Sequence, residues 1–469
     1  MISNIELINT IKNTSIEFNS NKKIEYKEFL NLISKVYNKL KTVNENINYN
    51  LIQIILLRQY KINIQICNNN ECMREYNQLF NKIKIPKEYK ALEKQFNKLK
   101  SIPQPEQKTQ EWFDYRKERI TASDTAAAID LNPYEPVESF ILKKCDPTHK
   151  FLDNQNVYHG KKYEPIATLL YEHIYNVIVH EFGALPSEKY PYLGASPDGI
   201  CSTRTLDNKF SNMLGTMLEI KCTVLRKIYT SGKIEGHICP FYYYCQVQQQ
   251  LECCDLDKCD FWQCKIIEYN REAYLSDSCE TKHTIGTNSE KVDINNLYKK
   301  GVILKFLPKH FIPEFDGDNI EWKSKFIYPP RLDMNEYEYD QWIINTLNNW
   351  MIKYKDIAET HYYEKIIYWK IEETHNVTIN RDTTFFTNIL PIMNDTWEKV
   401  KYYRNNLDKL DELKKIIEKR TKFIKIDTNF KINNELVKNK ILFLDDNVKD
   451  NVKDNVKDNI KDTCGDFLD

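Results

Sequence analysis

Apolar and polar residues change their spacing several times along this chain, and the changes divide it into regions. Near the start, Phe29, Leu32, Ile33, Val36 and Leu40 recur at three and four residues, the pattern of one helix face, so 1–102 reads as a helical accessory region. Pro103 and Pro105 in a polar stretch mark a linker. From 107 to 354 short apolar runs alternate with turn residues. Trp112–Lys117 predicts a short helix, and Ser123 suits the N-cap of an alanine-rich one over Asp124–Ile129 that Asn132-Pro133 ends. Ile166, Leu169, Leu170 and Ile174 predict a helix starting near Glu164, with that carboxylate in its first turn.

Leu193–Ile200 reads as a strand ending in a turn, because Pro197 and Gly199 flank Asp198. Met217–Cys222 alternates, which sends Leu218 and Ile220 into a core and brings Glu219 and Lys221 out together on the other face, roughly 6–7 Å apart. Behind Pro240, Tyr244, Val247 and Leu251 fit a helix face; Phe261–Ile266 and Val302–Phe306 read as further strands. Tyr339, Trp342, Ile343, Leu347, Trp350 and Tyr354 fit another helix. The stretch 355–440 reads as a helical extension, with Trp397, Val400, Leu407, Leu410, Leu413 and Ile417 on one long exposed helix. In 445–469 an Asn-Val-Lys-Asp repeat offers one small apolar residue per unit, too little to pack a core.

Composition narrows the class. Hydrophobic residues at 41% and aromatics at 12% exclude a mainly disordered chain. Lys+Arg 67 balance Asp+Glu 67, so a surface for nucleic acid has to be a local patch. No apolar run of about 18 residues and no cationic-then-apolar start are present, which predicts no membrane span and no secretion. The 13 cysteines, nine of them between Cys201 and Cys279 without a C-x-x-C pair, read as reduced thiols.

The chemistry concentrates on Asp198, Glu219 and Lys221. Two carboxylates on neighbouring strands can hold a hard divalent cation such as Mg²⁺, with Mn²⁺ as substitute, and the Ile220 carbonyl between the two side chains is a natural third ligand. A lysine beside them can orient a water and offset charge in a phosphodiester transition state. Alone, Glu-x-Lys is an ordinary surface ion pair. Its company changes the picture.

Trp112-x3-Arg116-x4-Thr121-Ala122-Ser123, Gly160-x3-Glu164, Ser196-Pro197-Asp198-Gly199, Glu219-Ile220-Lys221-Cys222 and Tyr243-x2-Gln246-Val247-Gln248 follow one another in an order that resembles the YqaJ-type viral recombinase family, which includes the phage lambda exonuclease, within the PD-(D/E)XK nucleases. The resemblance implies an α/β restriction-endonuclease-like core, a mixed sheet flanked by helices, with helical N- and C-terminal extensions. It implies Asp198 and Glu219 as metal ligands, Lys221 as the catalytic lysine, Glu164 as an acid near the metals, and Arg116, Ser123 and Ser196 as a 5′-phosphate pocket. Gln246 and Gln248 match its helix motif. The implied activity is 5′-to-3′ exonuclease digestion of duplex DNA in recombination or genome processing. A structure-specific endonuclease and a catalytically inert DNA-binding protein are the alternatives. A single-strand annealing protein and a ring-shaped homotrimer are the partners it suggests. Glu188, ten positions before Asp198, matches an acid of the phage enzyme and reads equally well as surface. The Asn-, Lys- and Ile-rich composition resembles versions from large DNA viruses of eukaryotes, which would act in the cytoplasm or nucleus of an infected cell, or travel in the virion.

Overall fold

The computed structural model describes residues 4–18, 26–42, 52, 55–56, 83–105, 109–146, 154–207, 209–278, 280–294, 298–313 and 319–427. The tail repeat and Cys67, Cys72 and Cys279 lie outside them. The strands of the described residues form two sheets. The smaller has the order β1 (Ile120–Thr121), β4 (Leu193–Ala195), β3 (Leu185–Pro186), with β1 parallel to β4. The larger runs β11 (Lys325–Ile327), β10 (Lys300–Pro308), β12 (His361–Asn380), β7 (Lys258–Tyr269), β6 (Met217–Thr223), β5 (Gly199–Cys201), β2 (Val179–His180), and β8 (Lys282–Ile285) with β9 (Glu290–Lys291) branch from β12. β6 and β7 are parallel, whereas β5–β6, β7–β12 and β10–β12 are antiparallel, so the sheet is mixed as expected.

Helices cover both faces. The helices of the described residues include α1 (Asn4–Phe18), α2 (Tyr26–Lys41), α3 (Lys90–Ser101), α4 (Gln110–Lys117), α5 (Thr125–Ala128), α6 (Val137–Cys145), α7 (Gln155–Tyr175), α8 (Phe241–Cys254), α9 (Glu336–Lys353), α10 (Thr383–Asn405) and α11 (Leu410–Asp427). Alternation along β6 decides which face each residue joins. Leu218 and Ile220 pack with Trp262 and Cys264 against Tyr163, Ile166 and Leu170 of α7. Met217, Phe261, Val377 and Ile379 pack on the opposite side against Val247 and Leu251 of α8 and Ile389 and Met393 of α10.

Four expectations are corrected. The helix expected near Glu164 begins at Gln155, where the Asn154 side chain accepts from Val157 N at 3.0 Å, and Pro165 lies inside it, so Glu164 is a mid-helix residue. Ser123 is not an N-cap. It belongs to a 3-10 turn, Ala122–Asp124, that leads into α5, and α5 ends at Ala128, ahead of Asp130 at φ 58° and of Asn132-Pro133. The stretch 355–440 is not helical throughout, because β12 occupies 20 residues of it between β10 and β7. Its buried Thr374, His375 and Asn376 interrupt the apolar pattern that would have announced a strand. The long exposed helix is instead α10 and α11, separated around Asn406, and Trp397, Val400, Leu410 and Leu413 are buried in the same core as Ala126 and Phe140.

Phe96 and Leu99 of α3 also enter that core, so packing crosses the proline-marked stretch after Ser101. Among the described residues the cysteines are unpaired, and no group of three or more His, Cys, Asp or Glu is arranged to hold a metal ion. No helix of the described residues is long and apolar enough to cross a membrane.

Candidate active site

The two sheets meet at the segment Ser196-Pro197-Asp198, which leaves β4 and enters β5. β5 pairs with β6 only at Met217 and Leu218, after which the β6 edge is open on that side. The Asp198 carboxylate fills the next position and accepts from Ile220 N at 2.7 Å. The N–H and C=O of one strand residue face the same edge, so the Ile220 carbonyl opens toward the same aspartate. Gly199 makes this close passage feasible, because a Cβ there would run into Val179 of β2.

Glu219 is fully buried on the α8 face. Its Oε1 accepts from Gln246 Nε2 at 2.7 Å and from Lys221 Nζ, and its Oε2 accepts from Gln250 Nε2 at 2.8 Å. The Lys221 ammonium also lies over the Tyr243 ring, 4.4 Å from its centroid, and Arg226 approaches the same ring at 5.8 Å while donating to Gln263 at 2.8 Å. Glu219 and Lys221 thus emerge on one face of β6, and Asp198 lies within electrostatic reach of both.

Burial, then the carboxylates of Glu219 and Glu164, raise the Asp198 carboxyl well above the usual range; Lys221 and the Ile220 N–H offset this in part. Burial alone would lower the Lys221 amine, but Glu219, Tyr243 and Asp198 more than reverse it and hold the amine above its ordinary value. Glu164, on α7, therefore acts on the same corner from mid-helix. Acids outnumber bases at this corner, and Asp198, Glu219 and the Ile220 carbonyl are the oxygens that could hold a hard cation there. The Gln250 Oε1 is a buried acceptor with no donor among the described residues, which also fits a hydrated ion at this corner.

A second cluster lies at the end of β1. Thr121 is in register with Gly194, so continuing these parallel strands by two residues brings Ser123 and Ser196 to the same end of the small sheet. Arg116 Nη2 donates to Ser123 Oγ at 3.0 Å, with its guanidinium over Trp112 at 4.6 Å. Behind them Asp124, almost fully buried, accepts from Thr121 at 2.7 Å, Lys144 at 2.8 Å and Lys143 at 2.9 Å. Burial would raise its carboxyl, but Lys144, Lys143 and Arg116 outweigh that and hold it well below the usual range.

Two sequence readings take a different form, and one residue stands outside them. Gln248 is not in the site: its Nε2 donates to the Asn380 carbonyl at 2.9 Å and its Oε1 accepts from Asp382 N at 2.7 Å, which pins α8 to the β12–α10 junction. Glu188 forms a solvent-exposed ion pair with Lys98 at 2.7 Å, and its side chain is 63% exposed, which favours the surface reading. Gln250 was missed. A glutamine one turn after Gln246 on a helix shares its face, a signal that was available but is drowned in the run Gln248-Gln249-Gln250.

The motif-bearing residues all fall in one continuous segment. Residues 111–257 match the family model of the YqaJ-like viral recombinase domain. The resemblance read from five motifs therefore holds for the segment that carries Glu164, Asp198, Glu219, Lys221, Gln246 and Gln250. The YqaJ-like segment supplies the small sheet, β2, β5, β6 and α8, while all of β7 and β12 come from residues beyond it. The chain is also 37% identical over 322 residues to an uncharacterized protein of Acanthamoeba polyphaga mimivirus, a match that covers 68% of this chain and 57% of that protein. The chain thus matches little more than half the length of that relative. Two crystal structures of LHK-Exo, an alkaline exonuclease from Laribacter hongkongensis, one in complex with dAMP, align over 67% of this chain and 100% of theirs at 14% identity, with TM-scores of 0.31 and 0.32.

Proposed function

We propose that this protein is a divalent-metal-dependent deoxyribonuclease that digests one strand of duplex DNA from a 5′ end. The observation that carries the reading is the convergence of Asp198, Glu219 and Lys221 at the open edge of β6. Asp198, Glu219 and the Ile220 carbonyl would hold an ion of the Mg²⁺ class, with Mn²⁺ as substitute and Glu164 adding negative charge nearby. Such an ion, when bound, supplies charge neutralisation and water activation. Lys221, kept protonated by Glu219, offers a fixed cation to the charge that builds on the phosphoryl oxygens. The Tyr243 ring beneath it restricts where that cation can swing.

Arg116, Ser123 and Ser196 would receive the terminal phosphate. Two hydroxyls and a guanidinium at the end of a parallel strand pair suit a phosphate dianion, and Asp124 is already neutralised by two lysines, so it does not repel that anion strongly. The matched domain and the mimivirus relative support a setting in viral recombination or genome processing within an infected cell. A single-strand annealing protein as partner, and a homotrimer, remain parts of the same proposal.

The test is digestion of end-labelled linear and closed circular duplex DNA with Mg²⁺, using 5′-phosphate and 5′-hydroxyl ends and the variants Glu219→Ala and Lys221→Ala. Loss of the linear substrate only, faster with 5′-phosphate and abolished in both variants, is expected. Cutting of the circle would point to an endonuclease, and no metal-dependent cleavage of any substrate would sink the enzymatic reading.

A further inference from the structure

Three consecutive glutamines on α8 are each almost completely buried, yet they do different things. Gln248 uses both ends of its amide, to Asn380 and Asp382. Gln249 does the same: its Nε2 donates to the Ile120 and Gly194 carbonyls at 2.9 and 3.0 Å, and its Oε1 accepts from Thr125 at 2.8 Å. These two tie α8 to both sheets. Gln250 differs. Its Nε2 donates to Glu219 Oε2 at 2.8 Å and lies 3.5 Å from the Ser196 carbonyl, while its Oε1 is buried without a donor among the described residues. Turning the amide over would set oxygen against oxygen at Glu219, so the assignment is fixed by chemistry.

The occupancy of Glu219 gives this a consequence. A carboxylate oxygen has two lone-pair sites. Those of Oε1 are taken by Lys221 and Gln246, whereas among the described residues Oε2 carries only Gln250 and keeps one. We propose that Gln250 is a positioning residue of the metal site: it locks the Glu219 carboxylate so that the remaining lone pair of Oε2 faces a divalent cation, and its own amide oxygen accepts from water at that cation. A glutamine serving only the fold would be expected to satisfy both ends, as its two neighbours do, since burying an acceptor without a donor is unfavourable. By bridging Glu219 and the Ser196 carbonyl, Gln250 also couples the metal corner to the segment leading to Asp198. The proposal rests on the nuclease reading for its choice of ion, but its test does not need DNA.

The experiment is isothermal titration of the full chain with Mn²⁺, without nucleic acid, comparing wild type, Gln250→Met, Gln250→Ala and Gln248→Met, with thermal melting of each metal-free protein. Removal of a group that orients a metal ligand weakens metal binding by about 10–100-fold. Gln250→Met is expected to lose Mn²⁺ affinity in that range while its metal-free melting temperature stays near wild type; Gln248→Met is expected to melt lower and bind Mn²⁺ normally. Gln250→Ala covers the case in which methionine overpacks the site. Wild-type affinity in a folded Gln250 variant would overturn the proposal, as would absence of Mn²⁺ binding by the wild type. If affinity falls as expected but no DNA is cleaved, the nuclease reading fails and the positioning role stands; if DNA is cleaved and Gln250→Met binds Mn²⁺ normally, the reverse holds.

Discussion

Asp198, half-buried, and Asp124, almost fully buried, lie at the ends of strands that meet in the YqaJ-like segment, and their surroundings drive them in opposite directions. Asp124 has Lys143 and Lys144 within hydrogen-bond distance and Arg116 nearby, so it is neutralised from within and its acid strength rises. Asp198 faces Glu219 and Glu164 with Lys221 as the main counter-charge, and its proton is held more tightly. A carboxylate whose charge is compensated by the fold builds structure. One whose charge is left under-compensated has a use for a cation from outside.

The largest expected effect breaks the comparison at its chemical end. Lys221→Met should lower the turnover of DNA by about 10²–10³-fold with little change in melting temperature, read by single-turnover digestion in Mg²⁺. Equal activity in that variant would leave the Asp198 corner without its proposed role.

Next comes a pair of substitutions of opposite sign. Asp124→Asn leaves Lys144 buried without its counter-charge and should cost about 3–5 kcal/mol in denaturant unfolding. Asp198→Asn should raise the stability of the metal-free protein at neutral pH. The folded carboxyl is raised above its unfolded value, so the folded state binds more protons there, and stability falls as pH rises above the unfolded range; asparagine removes that loss. The same variant should abolish any increase in melting temperature on adding Mg²⁺. Destabilisation by both substitutions would show that the two aspartates do not differ in kind.

Acid should act on a third set of groups, the buried and half-buried histidines. His159, His180, His283 and His375 are each pushed down to about 4 by burial. Their folded values lie below the unfolded value of about 6.5, so stability present above that pH is lost progressively as pH falls toward 4. Melting temperatures between pH 7 and 4.5 should therefore decline. His283→Asn together with His375→Asn should flatten part of the slope, and an unchanged slope would remove these two from the account.

The smallest effect concerns Glu188. Its pair with Lys98 is solvent-exposed, so Glu188→Ala should change stability by less than about 1 kcal/mol and leave digestion unaltered. A large loss of activity would restore Glu188 to the site.

The core strands and the central acids were legible because both depend on local periodicity. Alternation in Met217–Cys222 alone says that Glu219 and Lys221 share a face and that Leu218 and Ile220 do not. The turn residues around Asp198 likewise mark the break between β4 and β5. Where polar residues are buried by pairing on both sides, as in β12, the same signal fails, and a central strand reads as part of a helical extension. Glu164 was selected by motif but misplaced on its helix, because the apolar spacing that marked the helix begins at Ile166 and the Asn154 cap lies ten residues before Glu164.

The sequence by itself determined which side chains emerge together from one strand, since the period of the backbone sets that within a few residues. Only the tertiary structure decided what meets them: Asp198 on the Ile220 N–H, Gln246 and Gln250 on the two oxygens of Glu219, and three cations around Asp124. Those partners lie up to 31 residues apart along the chain, and more where β12 completes the sheet, so their meeting depends on how helices pack on strands. The same packing removes water, and with water gone the choice between a compensated and an under-compensated carboxylate becomes a difference in chemistry.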